Sequence, residues 1–241
     1  MTTTGTASFN LDLNDLIEEA FERCGSELRT GYDFRTARRS LNLLTIEWAN
    51  RGINLWTIEQ GQITLNTGVG VYDLPVDTID LLDQVIRTNS GSVSNQTDIN
   101  ISRISEPTYS TIPNKLAQGR PIQVWVNRQS GATTPSGIRY PQINIWPTPN
   151  APDGQYIFVY WRLRRIQDAG DGVNTQDIPF RFLPCMVAGL AYYLSMKIPG
   201  VDPNRSVALK ADYEQQFQLA ADEDREKAPI RFVPRNMSYT R

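Results

Sequence analysis

Residues 177–197 read DIPFRFLPCMVAGLAYYLSMK. From Pro184 to Met196 no side chain is charged and almost all are apolar or aromatic. A helix apolar all round must be buried on every side. The run falls short of the roughly 20 apolar residues that a bilayer requires. It is therefore predicted as the central helix of a helical bundle. Pro184 suits its first turn, where a missing N–H costs nothing, and Pro199-Gly200 stops it.

Partners for that helix stand at both ends of the chain. Downstream, Asp202-Pro203 supplies a cap and a first-turn proline, and Leu209, Tyr213, Phe217 and Ala220 form a buried stripe. The outer face of this helix is polar and ends in the charge run from Asp222, Glu223 and Asp224 through Arg225 to Glu226 and Lys227. Near the start, Leu13, Leu16, Ile17, Ala20, Phe21 and Cys24 recur at helical spacing, with Asp12 or Asn10 as cap and Gly25 as stop. A second helix is predicted from an Asp33 cap, with Phe34, Ala37, Leu41, Leu44 and Trp48 on one side and Gly52 at its end. The short link predicts an antiparallel pair. Its exposed side carries Arg35, Arg38 and Arg39, either a solvated face or a contact with an acidic neighbour.

Between the helix pairs the apolar period changes from 3.6 to 2. LWTIEQGQITL is expected to form two strands around Gly61, and LLDQVIRT extends again beyond Pro75. PIQVWVNRQ, IRYPQINIWP and GQYIFVYWRLRRI give three further strands, separated by turn-rich segments. The last is apolar on both faces and is expected to be central in a sandwich or small barrel. The predicted class is α+β: a bundle from residues 1–54 and 169–228, an antiparallel β insertion over 55–168, and an extended C-terminal arm over 229–241. The arm reads PIRFVPRNMSYTR, apolar and basic, and needs a surface to hold it, on its own domain or on another subunit.

The composition excludes much chemistry. The chain has no histidine, which removes Ser-His-Asp and Cys-His catalysis and imidazole metal ligation. Two cysteines cannot make a disulfide framework or a structural zinc site, and an intracellular origin is expected. The opening residues lack a signal-peptide pattern. With 24 basic against 26 acidic residues, a nucleic-acid-coating role is not expected. Asp168, Asp171 and Asp177 miss the spacing of a calcium loop. No cofactor, metal, catalytic residue or membrane contact is expected. A rival enzyme reading would pair Glu106 with Asp153 as glycosidase carboxylates. A rival sugar-binding reading would use Trp125, Trp146, Tyr160 and Trp161, although strand aromatics are more often core.

Several stretches carry a likeness beyond these patterns. They are YDLPVDTIDLLDQVIR (72–87), IPNKLAQGRPIQVWVNRQ (112–129), INIWPTP (143–149), YWRLRRIQDAGD (160–171), FLPCMVAGLAYYLSMKIPG (182–200) and LKADYEQQFQLAADEDREKAPIRFVP (209–234). DLIEEAFERCG (15–25) and FRTARRSLNLL (34–44) complete the order. The chain resembles the head-to-tail adaptor (connector, tail tubular protein A-like) proteins of short-tailed bacteriophages.

The resemblance implies a non-enzymatic virion protein, assembled in the host cytoplasm at the head–tail junction. Its copies would form a ring, usually a dodecamer, under the portal protein ring. That ring would extend the channel for double-stranded DNA, without sequence-specific binding, and receive the tail nozzle and fibre proteins. The arm would dock on the portal, with Ile230, Arg231, Phe232, Val233, Arg235 and Tyr239 as its contacts. Ring closure needs two different complementary surfaces per subunit. The expected pair is Arg35, Arg38 and Arg39 against Asp222, Glu223, Asp224 and Glu226 of a neighbour. The alternative is another tail-completion protein or a receptor- or carbohydrate-binding tail protein.

Overall fold

The computed structural model describes residues 3–52, 55–128 and 140–224. The chain divides into two compact units. One takes residues 3–41 and 180–224 and is helical; the other takes 42–179 and is mostly β. The class is α+β, as expected, with five α-helices and open, largely antiparallel sheets among the described residues.

In the helical unit, α1 (Leu13–Cys24) begins at Asp12, whose Oδ1 accepts the Asp15 amide at 2.9 Å, and ends at left-handed Gly25. All six residues of its expected stripe are buried. Helix α2 (Gly31–Asn50) starts two residues before the expected Asp33 cap. Thr30 and Asp33 form a reciprocal capping box: Thr30 Oγ1 accepts the Asp33 amide at 3.2 Å and Asp33 Oδ2 accepts the Thr30 amide at 3.1 Å.

The central helix, α4 (Leu183–Ser195), is buried at ten of its 13 positions. α5 (Pro203–Glu223) is capped by Asp202, which accepts the Asn204 amide at 2.9 Å, and it buries Leu209, Tyr213, Phe217 and Ala220. α4 packs most extensively against α5 and α1, rather than α1 against α2. Cys24 Sγ donates to the Ala191 carbonyl at 3.0 Å, and Arg205 Nε donates to the Arg23 carbonyl at 2.9 Å. Lys197 Nζ donates to Ser40 Oγ at 2.7 Å.

In the β unit, β1 (Ile58–Thr64), β10 (Tyr156–Arg164), β3 (Thr78–Thr88) and β4 (Thr97–Asn100) make one antiparallel sheet in that order. A second sheet orders β2 (Val71–Asp73), β8 (Gln142–Trp146), β7 (Gln123–Asn127) and β5 (Ser102–Ile104), the last pair parallel. A parallel pair, β6 (Gln118–Gly119) with β9 (Thr148–Pro149), and a short helix α3 (Glu106–Ser110) complete the unit.

Leu81, Ile86, Phe158 and Tyr160 from the first sheet share one core with Val124, Val126, Ile143 and Ile145 from the second. Both sheets are open, so the sandwich alternative describes them and the closed barrel does not. The expected hairpin at Gly61 is instead one continuous strand. Gly61 is the register partner of Tyr160, and a Cβ there would run into the tyrosine ring and hydroxyl. The glycine marks a close approach rather than a turn.

The division between the two compact units lies at 41/42 and 179/180. Side-chain bonds within the β unit accompany it. Asn42 Oδ1 accepts the Ala169 amide at 2.8 Å, and Trp56 Nε1 donates to the Asp177 carbonyl at 2.9 Å. Arg164 pairs with Asp177. These ties hold residues 169–177 to the β unit.

Candidate subunit-contact surfaces

The arginine face is built by the capping box at Thr30. Starting the helix at Gly31 sets Tyr32, Arg35, Arg38 and Arg39 on one side at spacings of three and four. Together they line a cavity of about 370 Å³. Tyr32, Arg35 and Arg39 are exposed and Arg38 is half-buried. Arg35 Nε donates back to the Gly31 carbonyl at 3.3 Å. Three guanidinium groups with water access form a cationic patch suited to carboxylates or phosphates.

The expected acidic partner group comes apart at the end of α5. Asp222 is exposed, and its Oδ1 accepts from Gln218 Nε2 at 3.2 Å. Asp224 is different: its side chain is 3% exposed and paired with Arg181 of the same chain. A carboxylate held this way is a structural tie and leaves the group proposed for a neighbour. Glu226 and the arm contacts Ile230, Arg231, Phe232, Val233, Arg235 and Tyr239 lie outside the described residues.

A second surface was missed by sequence reasoning. A groove of about 970 Å³ runs between α1, residues 7–11 and the start of α4. Its apolar lining includes Phe9, Phe180, Pro184 and Val187, and its acidic rim is Asp15, Glu18, Glu19 and Glu22. The rim was readable as a stripe at i, i+3 and i+7 opposite the buried face of α1. Its apolar floor comes from a segment about 170 residues away in sequence and has no local signature.

In the β unit the charged cluster is internal scaffolding. Arg162 donates to Asp77 Oδ1 at 2.6 Å and to Glu59 Oε2 at 2.9 Å, and Arg164 donates to Glu59 Oε1 at 2.6 Å and pairs with Asp177. Burial pushes the Asp77 and Asp177 carboxyls up, but their arginine bonds outweigh it and hold both below the ordinary carboxylate value. This keeps them ionised, which suits ion pairing and not proton donation.

Most of the rival site residues have local structural partners. Glu106 sits in the first turn of α3, while Asp153 Oδ1 accepts the Thr67 amide at 2.8 Å. Asp177, one of the aspartates that miss the calcium-loop spacing, is engaged by Arg164, and Asp168 lies 3.5 Å from Arg165. Among the described residues, no group of three or more His, Cys, Asp or Glu side chains is placed to hold a metal ion. No described helix is long and apolar enough to cross a membrane. Tyr160 is core. Trp125 is half-buried against Tyr109, with ring centroids 5.1 Å apart, and half-buried Trp146 donates to the Asn114 carbonyl at 3.0 Å. Trp161 is also half-buried.

No curated protein sequence matches the chain. A family model does: it covers residues 11–234, which takes in both compact units. Over that span the model is that of the SU10 adaptor protein, and the chain belongs to the SU10 adaptor protein family.

Proposed function

We propose that this phage structural adaptor joins the capsid portal to the tail as a ring of identical copies. The ring extends the DNA channel and presents a surface to the tail nozzle and fibre proteins. The observation that carries this reading is the extent of the family match, from α1 through both units to residue 234. A short shared domain would leave the role of the rest open; a match of this length speaks for the same construction throughout.

The chemistry of the chain is compatible with that role. A closed ring uses head-to-tail contacts between unlike surfaces. The Arg35, Arg38 and Arg39 face is one of them in this proposal, and Asp222, Glu223 and Glu226 of the next subunit are the other. Asp224 has no part in it, being tied to Arg181. The arm from Pro229 to Arg241 reaches the portal, with Phe232, Val233 and Arg235 as anchors, because aromatic and arginine side chains dominate interface energies. A net charge of −2 suits passing DNA, since a strongly basic lumen would retain phosphates.

The test is size-exclusion chromatography of the purified chain with and without its portal ring. The expected outcome is a large complex that forms only when the portal is present, and its loss in Arg35→Glu/Arg39→Glu protein with an unchanged melting curve. A wild-type chain that ignores the portal refutes the head-to-tail reading. A double variant that assembles normally refutes the arginine contact alone.

A further inference from the structure

Two rows of side chains on the helical unit match each other. On α1, Asp15, Glu18 and Glu22 are exposed and stand at i, i+3 and i+7. On α2, Tyr32, Arg35 and Arg39 are exposed and stand at the same intervals. Each row spans about 10.5 Å of helix. Both lie within the helical unit.

Each row is unfavourable by itself. Glu18 and Glu22 are like charges at i, i+4, and so are Arg35 and Arg39, a spacing that destabilises a helix. Opposite charge brought from outside relieves both. The acidic row edges the groove beside α1, where, among the described residues, four carboxylates meet one guanidinium, that of Arg23. Arg23 is engaged: its Nε donates to Glu19 Oε1 at 2.9 Å, and its Nη1 lies 3.6 Å from Asp212 Oδ2 on α5. The edge therefore keeps an acidic excess. The groove walls include Phe9 and Phe180, 77% and 76% exposed, and Tyr32 on the other row is 65% exposed. An apolar groove with an acidic edge fits a helix face that is aromatic and cationic.

We propose that the α2 face of one copy docks in the α1 groove of the next. The equal spacing sets the register: Tyr32 opposite Asp15 and the phenylalanine walls, Arg35 opposite Glu18, and Arg39 opposite Glu22. The Tyr32 hydroxyl donates to Asp15, and the two guanidinium groups donate to the two glutamates. Each copy offers one groove and one face, so the contact is head-to-tail and repeats from copy to copy. It rests on the reading of the arginine face as a subunit contact and adds α1 to its acidic side.

The test is disulfide trapping in the full chain carrying Glu18→Cys and Arg35→Cys, run with the portal ring and on concentrated chain alone. Asp15, Glu22, Tyr32 and Arg39 stay in place to hold the register. Both native cysteines are at most 2% exposed, so the introduced pair dominates the reaction under mild oxidation. The expected product is a ladder of covalent dimers, trimers and larger species. Adding Glu22→Lys should lower its yield about fivefold, and adding Arg39→Glu as well should restore it. Glu22→Gln gives an intermediate yield and guards against misfolding of the lysine variant. Dimers only, a link confined to one chain, no link, or a yield indifferent to the charge swap each overturn the proposal. So does rescue of Arg39→Glu by Asp222→Lys but not by Glu22→Lys, which assigns the acidic side to α5 alone. The ladder from the chain alone is read without the portal, so failure of portal binding is distinguished from failure of the groove contact.

Discussion

Replacing Asp177 by Asn removes the acceptor that holds Arg164, a guanidinium with only 10% side-chain exposure. Asp177 also accepts the Gln167 amide at 3.1 Å, so one side chain ties β10 to the segment that follows it. Removing one partner of a fully buried pair costs about 3–5 kcal/mol. Here Asp177 keeps 18% exposure and Glu59 still bonds Arg164 at 2.6 Å, while asparagine retains one acceptor oxygen. A charge-assisted bond contributes about 1.5–3 kcal/mol, so about 2 kcal/mol is expected. For a protein of this size that lowers the melting temperature by about 4–8 °C.

The pH dependence gives the sharper test. The folded carboxyl lies below its ordinary value of 3.8, because the Arg164 bond and the Gln167 amide outweigh the opposing effect of burial. A depressed carboxyl contributes stability that is complete above the unfolded value and is lost as pH falls through the folded one. The gap between wild type and Asp177→Asn should therefore be full at pH 7 and shrink below about pH 4. Scanning calorimetry from pH 7 to pH 2.5 reads both. A gap under about 1 °C at pH 7, or one undiminished in acid, would refute the assignment.

Gly61→Ala places a methyl group in the Tyr160 ring and should cost about 1–3 kcal/mol in urea unfolding, with much of the loss recovered in Gly61→Ala/Tyr160→Val. Equal losses with and without Tyr160 would show that the ring is not what the glycine accommodates. Burial pushes the Cys24 thiol up to about 11, only partly countered by Arg205, and Cys185 is 1% exposed. Native protein at pH 8 should thus give almost no reaction with a thiol reagent over minutes, and two reactive thiols once unfolded. Rapid labelling of either in the folded chain would contradict their placement.

The helix ends most legible in sequence were those with local causes. Asp12 before the Leu13 stripe, Gly25 after it, and Asp202-Pro203 before α5 each combine a cap with an apolar period, and each appears where read. The α2 start was misplaced because its apolar stripe begins at Phe34, while the capping box closes earlier through Thr30. Gly61 was read as a turn because a glycine in a strand has two meanings, and only the opposing Tyr160 distinguishes them. Asp224 was read as part of a solvated charge run; its partner Arg181 stands 43 residues away. The groove shows the same limit, since its rim lies in one helix and its floor in another. What sequence periodicity carries is local, and what it omits is pairing across the chain.

The helical unit is assembled from the two ends of the polypeptide, while the β unit is one continuous stretch. On the ribosome, α1 therefore emerges without α4, the helix that covers it, and some 170 residues must follow before α4 is complete. At about 5–20 residues per second, that leaves Leu13, Ile17 and Phe21 uncovered for roughly 9–34 s. The β unit can close in the meantime. Synthesis thus completes the helical unit, surface and groove included, only after the β unit.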